Sequence, residues 1–391
     1  MKIKEKIKGN KMTKKIKPIC FYLPQFHPIP ENDEAHGQGF TEWTNVKKAL
    51  PLYEGHNQPR IPYNDNYYSL LDKEVMIAQT KLAKEYGIYG FCYYHYWFKN
   101  GKKLLEKPVE MMLENKDIDI PFCLSWANEN WTHRWDGGNH EIIVEQDYDD
   151  LEDLEKHVDY LCQFFADDRY IFVDEKPLLL IYRPELIPNL SKTMKIIRQR
   201  AQRNGFKDLE IIVQFPKFLL NNHQLDLFDG FAEFQPIYEI HMEKHENRSP
   251  MFQFVKTMML KVGARNLVQK LETIGEKKAH NKALLDRRDY EKTWQGIINR
   301  PVKNEKMIAG AFVDWDNTAR NKNGRVFDGA SPEKFGKYMK KLIQKVQSDY
   351  KSDIIFINAW NEWAEGAYLE PDKKNGYSYL ESLKKAIEET K

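Results

Sequence analysis

The sequence has no apolar run of about 18 residues, so no membrane-spanning helix is expected. It has almost no net charge: 60 Lys and Arg against 58 Asp and Glu leave +2 over 391 residues, a field that favours neither nucleic acid nor a membrane surface. Cysteine is scarce. Cys20, Cys92, Cys123 and Cys162 form no CxxC pair, which speaks for buried reduced thiols, against a structural zinc site, and for a cytoplasmic setting. The N-terminus MKIKEKIK is basic without the apolar core of a signal peptide, and residues 1–16 read as a solvated tail. GxGxxG, P-loop, HExxH and GxSxG are all missing. Asp314-Trp-Asp316 matches the D-x-D by which many nucleotide-sugar transferases hold a metal, but three residues match too easily to carry weight. Neither a metal nor a cofactor is expected.

Present in quantity are aromatic residues, 9 Trp, 21 Tyr and 21 Phe, within 41% hydrophobic content. Rings of this kind build cores, and they also stack on the C–H faces of sugars. Short apolar runs recur at 19–23, 88–94, 121–125, 177–182, 209–214, 230–234, 307–313 and 353–358. Such runs suit strands buried on both faces of a parallel sheet. Helical spacing fills much of the chain between them, at 74–86, 151–165, 190–204, 332–347 and 377–388. "SPEKF" at 331–335 offers Ser as N-cap and Pro at the first helical position. Eight strands alternating with helices predict an α/β fold, a (β/α)8 TIM-like barrel forming one catalytic domain over 17–391. A doubly wound sheet is the alternative. The Lys- and Arg-rich segment 238–306 exceeds an ordinary connection and reads as a helical insertion between strands six and seven.

In such a barrel the C-terminal strand ends carry the chemistry. Here they are polar and aromatic where the strands are apolar. Tyr22, Gln25 and His27 follow strand one, and Tyr94, His95 and Trp97 end strand two. Trp126, Asn128, Glu129, Trp131, Arg134 and Trp135 follow strand three. Glu233 closes strand six, Asp316 and Asn317 follow strand seven, and Trp360, Asn361, Glu362, Trp363 and Glu365 follow strand eight. Carboxylates beside Asn, Gln, Trp and Tyr suit glycosidic-bond chemistry with an oligo- or polysaccharide partner. Glu362 and Glu365 stand three apart, on one side of a turn, with roughly 5–6 Å between Cβ atoms. That spacing hinders two carboxyl groups from flanking a sugar ring in the usual way. It suits a route in which one carboxylate takes the proton of a trans 2-OH, so that the sugar's own oxygen displaces the aglycone. The other carboxyl protonates the leaving oxygen and then activates water.

"NEWAEG", with Trp360 before it, resembles the E-W-x-E motif of glycoside hydrolase family 99, the endo-α-mannosidases. The whole chain is more closely similar to the family 99-like WbsX-type glycosyltransferases of bacterial surface-polysaccharide loci. The stretches that carry this are "FYLPQFHPIPEND", "GFTEWTNV", "GFCYYHYWF", "SWANENWTHRWDG", "VDWDNTAR" and "NAWNEWAEGAYLEPD", spanning 21–372. The resemblance implies Glu362 as the base on the 2-OH and Glu365 as the acid/base at the leaving group. Ala364 stands where the mannosidases usually carry His. Three functions follow as expectations: a glycosidase on mannose- or rhamnose-like surface glycans, a glycosyltransferase of O-antigen or capsule (lipopolysaccharide) assembly using an activated donor, or a glycan-binding protein on a retired barrel. The intact carboxylate pair argues against the third.

Overall fold

The computed structural model describes residues 14–133, 141–215, 220, 222–246, 258–259 and 285–391. Eight parallel strands form its centre: β1 (Lys17–Tyr22), β2 (Gly90–Phe98), β3 (Phe122–Trp126), β4 (Lys176–Ile181), β5 (Glu210–Phe215), β6 (Gly230–Glu233), β7 (Met307–Phe312) and β8 (Ile354–Asn358). Each pairs with the next in chain order. Lys17 of β1 then registers with Ile354 of β8, closing the barrel. Closure explains the near-continuous apolar runs, because every strand meets side chains inside and helices outside. The helices Lys73–Glu85, Leu151–Phe165, Leu190–Arg203, Pro332–Asp349 and Ser378–Glu388 match the expected ones within two residues at each end. Ser331 caps the fourth of these by accepting from the Lys334 N–H, with Pro332 following it.

Side chains fill the barrel. Phe21 of β1 meets Phe356 of β8 at 5.5 Å, Tyr94 of β2 at 5.7 Å and Phe234, just past β6, at 5.4 Å. A polar chain crosses the same interior: Ser125 Oγ donates to Gln214 Oε1 (2.8 Å), and Gln214 Nε2 donates to Tyr94 Oη (3.0 Å). Gly310 of β7 has a steric reason, since a Cβ there would lie 1.6 Å from the Glu233 carbonyl oxygen.

Three details depart from the sequence reading. Strand β2 runs on to Phe98, so Tyr94, His95, Tyr96 and Trp97 lie within it; aromatic residues are strong strand formers. The segment assigned to a helical insertion has a helix at Ile237–Glu246 and another at Tyr290–Asn299, with 247–257 and 260–284 outside the described residues. It also holds a short strand, Asp286–Asp289, paired with Arg325–Asp328. Of the expected tail, 1–13 lies outside the described residues, whereas Lys14 donates its ammonium to the Lys351 carbonyl at 3.2 Å. All four cysteines are free and buried. Among the described residues no helix is long and apolar enough to cross a membrane.

Candidate active site

Beyond β8 the chain folds back on itself at the barrel mouth. The Asn361 side-chain amide hooks β1, donating to the Leu23 carbonyl (3.0 Å) and accepting the Leu23 N–H (2.8 Å). Asn361–Glu362 then pairs with Ala367–Tyr368, and Trp363–Glu365 forms one tight 3-10 turn closed by Gly366 at φ 63°. This turn directs Glu362 and Glu365 to a common partner.

That partner is Arg320, from the loop after β7. Its Nη1 donates to Glu365 Oε1 at 2.5 Å and its Nη2 to Glu362 Oε2 at 3.2 Å. The same Nη2 donates to both oxygens of Glu42, at 2.9 and 3.1 Å. Three carboxyl groups therefore surround one guanidinium. Burial, then the charge of Glu365, pushes Glu362 up to about 8 against the pull of Arg320. Burial also raises Glu365, with Arg320 opposing and Glu42 reinforcing. Neighbouring carboxyl groups so placed resist ionising together. The side chain of Glu365 is 19% exposed and that of Glu362 8%, so Glu365 is nearer solvent.

Tyrosines stand around the pair. Burial first and then the charge of Glu362 push the Tyr94 and Tyr96 phenols well above their ordinary range. At the end of β4, Tyr182 is raised by burial and then by Glu129, with Glu365 contributing. Trp131 sets its ring edge-on to Tyr96 at 5.1 Å and donates Nε1–H to Asn32 Oδ1 at 2.9 Å. Glu129 accepts from Arg183 Nη1 at 2.9 Å, and Asn128 fixes Arg183 by exchanging hydrogen bonds with its backbone, 2.7 and 2.8 Å.

Other expected site residues lie apart from this cluster. His95 and Trp97 alternate with Tyr94 and Tyr96 along β2 and face the helix Leu151–Phe165. There His95 Nε2 meets His157 Nε2 at 2.9 Å, and Trp97 stacks on His157 at 4.8 Å. Burial holds both imidazoles down, His95 to about 3. Trp126 packs against the same His157, 4.7 Å away. Tyr22 donates to Gln79 Oε1 (2.6 Å), and Glu233 accepts from Tyr350 Oη (3.0 Å). Trp360 is wholly buried against Phe91, while Trp363 stacks on Tyr368 at 3.8 Å and donates to Glu370 at 2.6 Å. Gln25 and His27 are buried beside the segment leading to Glu42, whose N–H donates to the Gln25 carbonyl at 2.9 Å. Arg134 and Trp135 fall outside the described residues.

Asp316 is wholly buried, with both oxygens occupied by protein groups. Oδ2 meets His56 Nε2 (2.9 Å) and Gln58 Nε2 (2.8 Å), and Oδ1 accepts from Thr318 Oγ1 (2.5 Å) and N–H (3.1 Å). Burial works against its charge, but the His56 hydrogen bond and the nearby Arg60 hold Asp316 at about 2. Asn317 accepts from the Arg325 N–H at 2.7 Å. Among the described residues no group of three His, Cys, Asp or Glu side chains is arranged to hold a metal ion.

The structure adds Glu42 and Arg320 to the expected set, and it sets Tyr96 and Tyr182, which also stand at strand ends in the sequence, beside the pair. Glu42 and Arg320 lie inside "GFTEWTNV" and "VDWDNTAR", where the residue types alone did not distinguish them. Tyr96 was signalled by strand alternation, because it shares a face with Tyr94.

Residues 18–383 match the family model for the WbsX glycosyltransferases, nearly the entire length. The chain belongs to the WbsX glycosyltransferase family. A relative at 36% identity over 373 residues is the uncharacterized protein WxcX of Xanthomonas campestris pv. campestris. The match covers 94% of this chain and 49% of the relative, so the chain spans about half the length of the curated relatives it matches. Among solved structures, the family 99 endo-α-mannosidase of Bacteroides thetaiotaomicron superposes with a TM-score of 0.52 at 15% identity, covering 95% of this chain and 97% of that one. A glycoside hydrolase-like protein gives 0.53 at 13%, covering 98% and 97%. At these identities the likeness establishes the shared (β/α)8 barrel.

Proposed function

We propose that this protein acts on glycosidic bonds of a mannose- or rhamnose-like surface polysaccharide, with Glu362 and Glu365 as the catalytic pair and the sugar's own 2-OH taking part. The observation that carries the reading is the single guanidinium of Arg320 holding both carboxyl groups on one side of the barrel mouth. In the first step Glu362 removes the 2-OH proton, O2 attacks C1, and the C1–O bond to the aglycone breaks as Glu365 protonates the departing oxygen. In the second, Glu365 takes a proton from water, whose oxygen opens the 1,2-anhydro ring at C1, and O2 regains its proton from Glu362. A pair that shares one proton fits this cycle, because one member must start as base and the other as acid. Burial raises both carboxyls, and the reactive form has the proton on Glu365.

The family description, a glycosyltransferase, favours a second reading, transfer from an activated sugar donor, for which we propose O-antigen or capsule assembly as the setting. Reduced buried cysteines suit a cytoplasmic enzyme in either case. Mass spectrometry of manno- and rhamno-configured glycans incubated with the protein, with and without nucleotide sugars, separates the two. Shortened glycans without donor support hydrolysis. Lengthened glycans with nucleotide released support transfer and require another account of the pair.

A further inference from the structure

Glu42 belongs to no part of the reaction just described, yet it is wholly buried at the centre of the cluster. It opens the helix Glu42–Lys48, whose start is held by the reciprocal Thr41 and Thr44 capping box. Its carboxylate has two attachments. Both oxygens accept from Arg320 Nη2, and Oε1 also accepts the Ala364 N–H at 2.7 Å. Ala364 is the residue between Glu362 and Glu365 in the turn, so Glu42 grips the peptide that sets their relative positions. It also draws on the Arg320 nitrogen that Glu362 uses, leaving Glu362 the longer bond, 3.2 Å.

We propose that Glu42 is a positioning residue: it fixes the Glu362–Glu365 turn through Ala364 and Arg320 and sets a negative charge beside both carboxyl groups. This rests on the catalytic reading of the pair. The titratable and charged groups facing the pair are Glu42 from the loop after β1, Tyr94 and Tyr96 from β2, Tyr182 at the end of β4, with Glu129 next to it, and Arg320 after β7. Of these, Glu42 adds negative charge next to both carboxyl groups through their common arginine.

The test is the Glu42→Gln variant of the full chain, read by carbon-13 NMR titration of labelled glutamate carboxyls, with Glu362→Gln and Glu365→Gln to assign the signals. The expected result is that the pair releases its proton about one pH unit lower than in the wild type. On a glycan that the wild type turns over, kcat falls roughly 10–100-fold with KM within about twofold, and the alkaline limb of the pH profile moves down with the titration. Glu42→Asp keeps the charge while withdrawing the carboxylate from Ala364, so its titration stays near that of the wild type while kcat falls. An unshifted titration in Glu42→Gln overturns the proposal, whatever happens to kcat. Should Glu42→Gln not fold, a wild-type kcat in Glu42→Asp overturns it. If the wild type turns over no glycan, the proposed reaction fails, and the NMR titration still decides the role of Glu42.

Discussion

Gly366 lies against Asp316: a Cβ built on the glycine would stand 2.9 Å from the Asp316 nitrogen, whose N–H donates to the Glu365 carbonyl at 2.7 Å. The turn carrying the carboxyl pair is thus pressed onto the loop after β7 at a point where only a hydrogen fits. Gly366 also has positive φ. Gly366→Ala is expected to cost about 1–3 kcal/mol and to lower activity by displacing Glu365. Urea unfolding and a glycan turnover assay check the two effects together.

Either carboxyl of the proposed catalytic pair can be neutralised without changing shape. Glu362→Gln and Glu365→Gln should each lower kcat by roughly 10²–10⁴ with unchanged circular dichroism. In the wild type, activity should fall on the alkaline side near pH 8, where the pair loses its shared proton, and on the acid side as its second carboxyl protonates. Full activity in both variants would remove the pair from the mechanism.

Burial raises Glu362 to about 8 and Glu233 and Glu370 to about 7. A carboxyl whose folded value exceeds its unfolded one binds its proton more tightly when folded. Its contribution to stability is therefore complete below the unfolded value and is lost as pH rises through the folded one. The melting temperature should fall from pH 5 to 8. Glu233→Gln should flatten that slope, since Glu233 moving from 4.5 to about 7 corresponds to roughly 3 kcal/mol. Calorimetry at four pH values reads this directly.

Asp316→Asn separates two roles for that residue. The buried bonds to His56, Gln58 and Thr318 predict a loss of about 3 kcal/mol in stability with KM little changed. A hydroxyl-binding role predicts the reverse, a raised KM on a normally stable protein. Denaturant titration beside steady-state kinetics distinguishes them.

The barrel was legible because each strand is buried on both faces, and a short apolar run can mean little else when helical spacing follows it. The turn bearing Glu362 and Glu365 was legible from their spacing and position after the last strand. What escaped was direction and partnership. His95 and Trp97 stand beside Tyr94 in sequence but point to the opposite face of β2, a distinction that required knowing that the strand continues to Phe98. Trp363 is next to Glu362 and yet supports Glu370 from within the core. Glu42 was one acidic residue inside "GFTEWTNV", and its significance depends on an arginine far along the chain.

That distance has a consequence for how the protein comes into being. Glu42 meets Arg320 across 278 residues and Ala364 across 322. During synthesis Glu42 emerges before either partner, and the two exist only once the seventh strand and then the eighth have left the ribosome. A chain stopped short of residue 362 has Glu42 without the turn it grips. The cluster around Arg320 is therefore completed only when the two ends of the barrel meet, and its assembly is a report that the ring has closed.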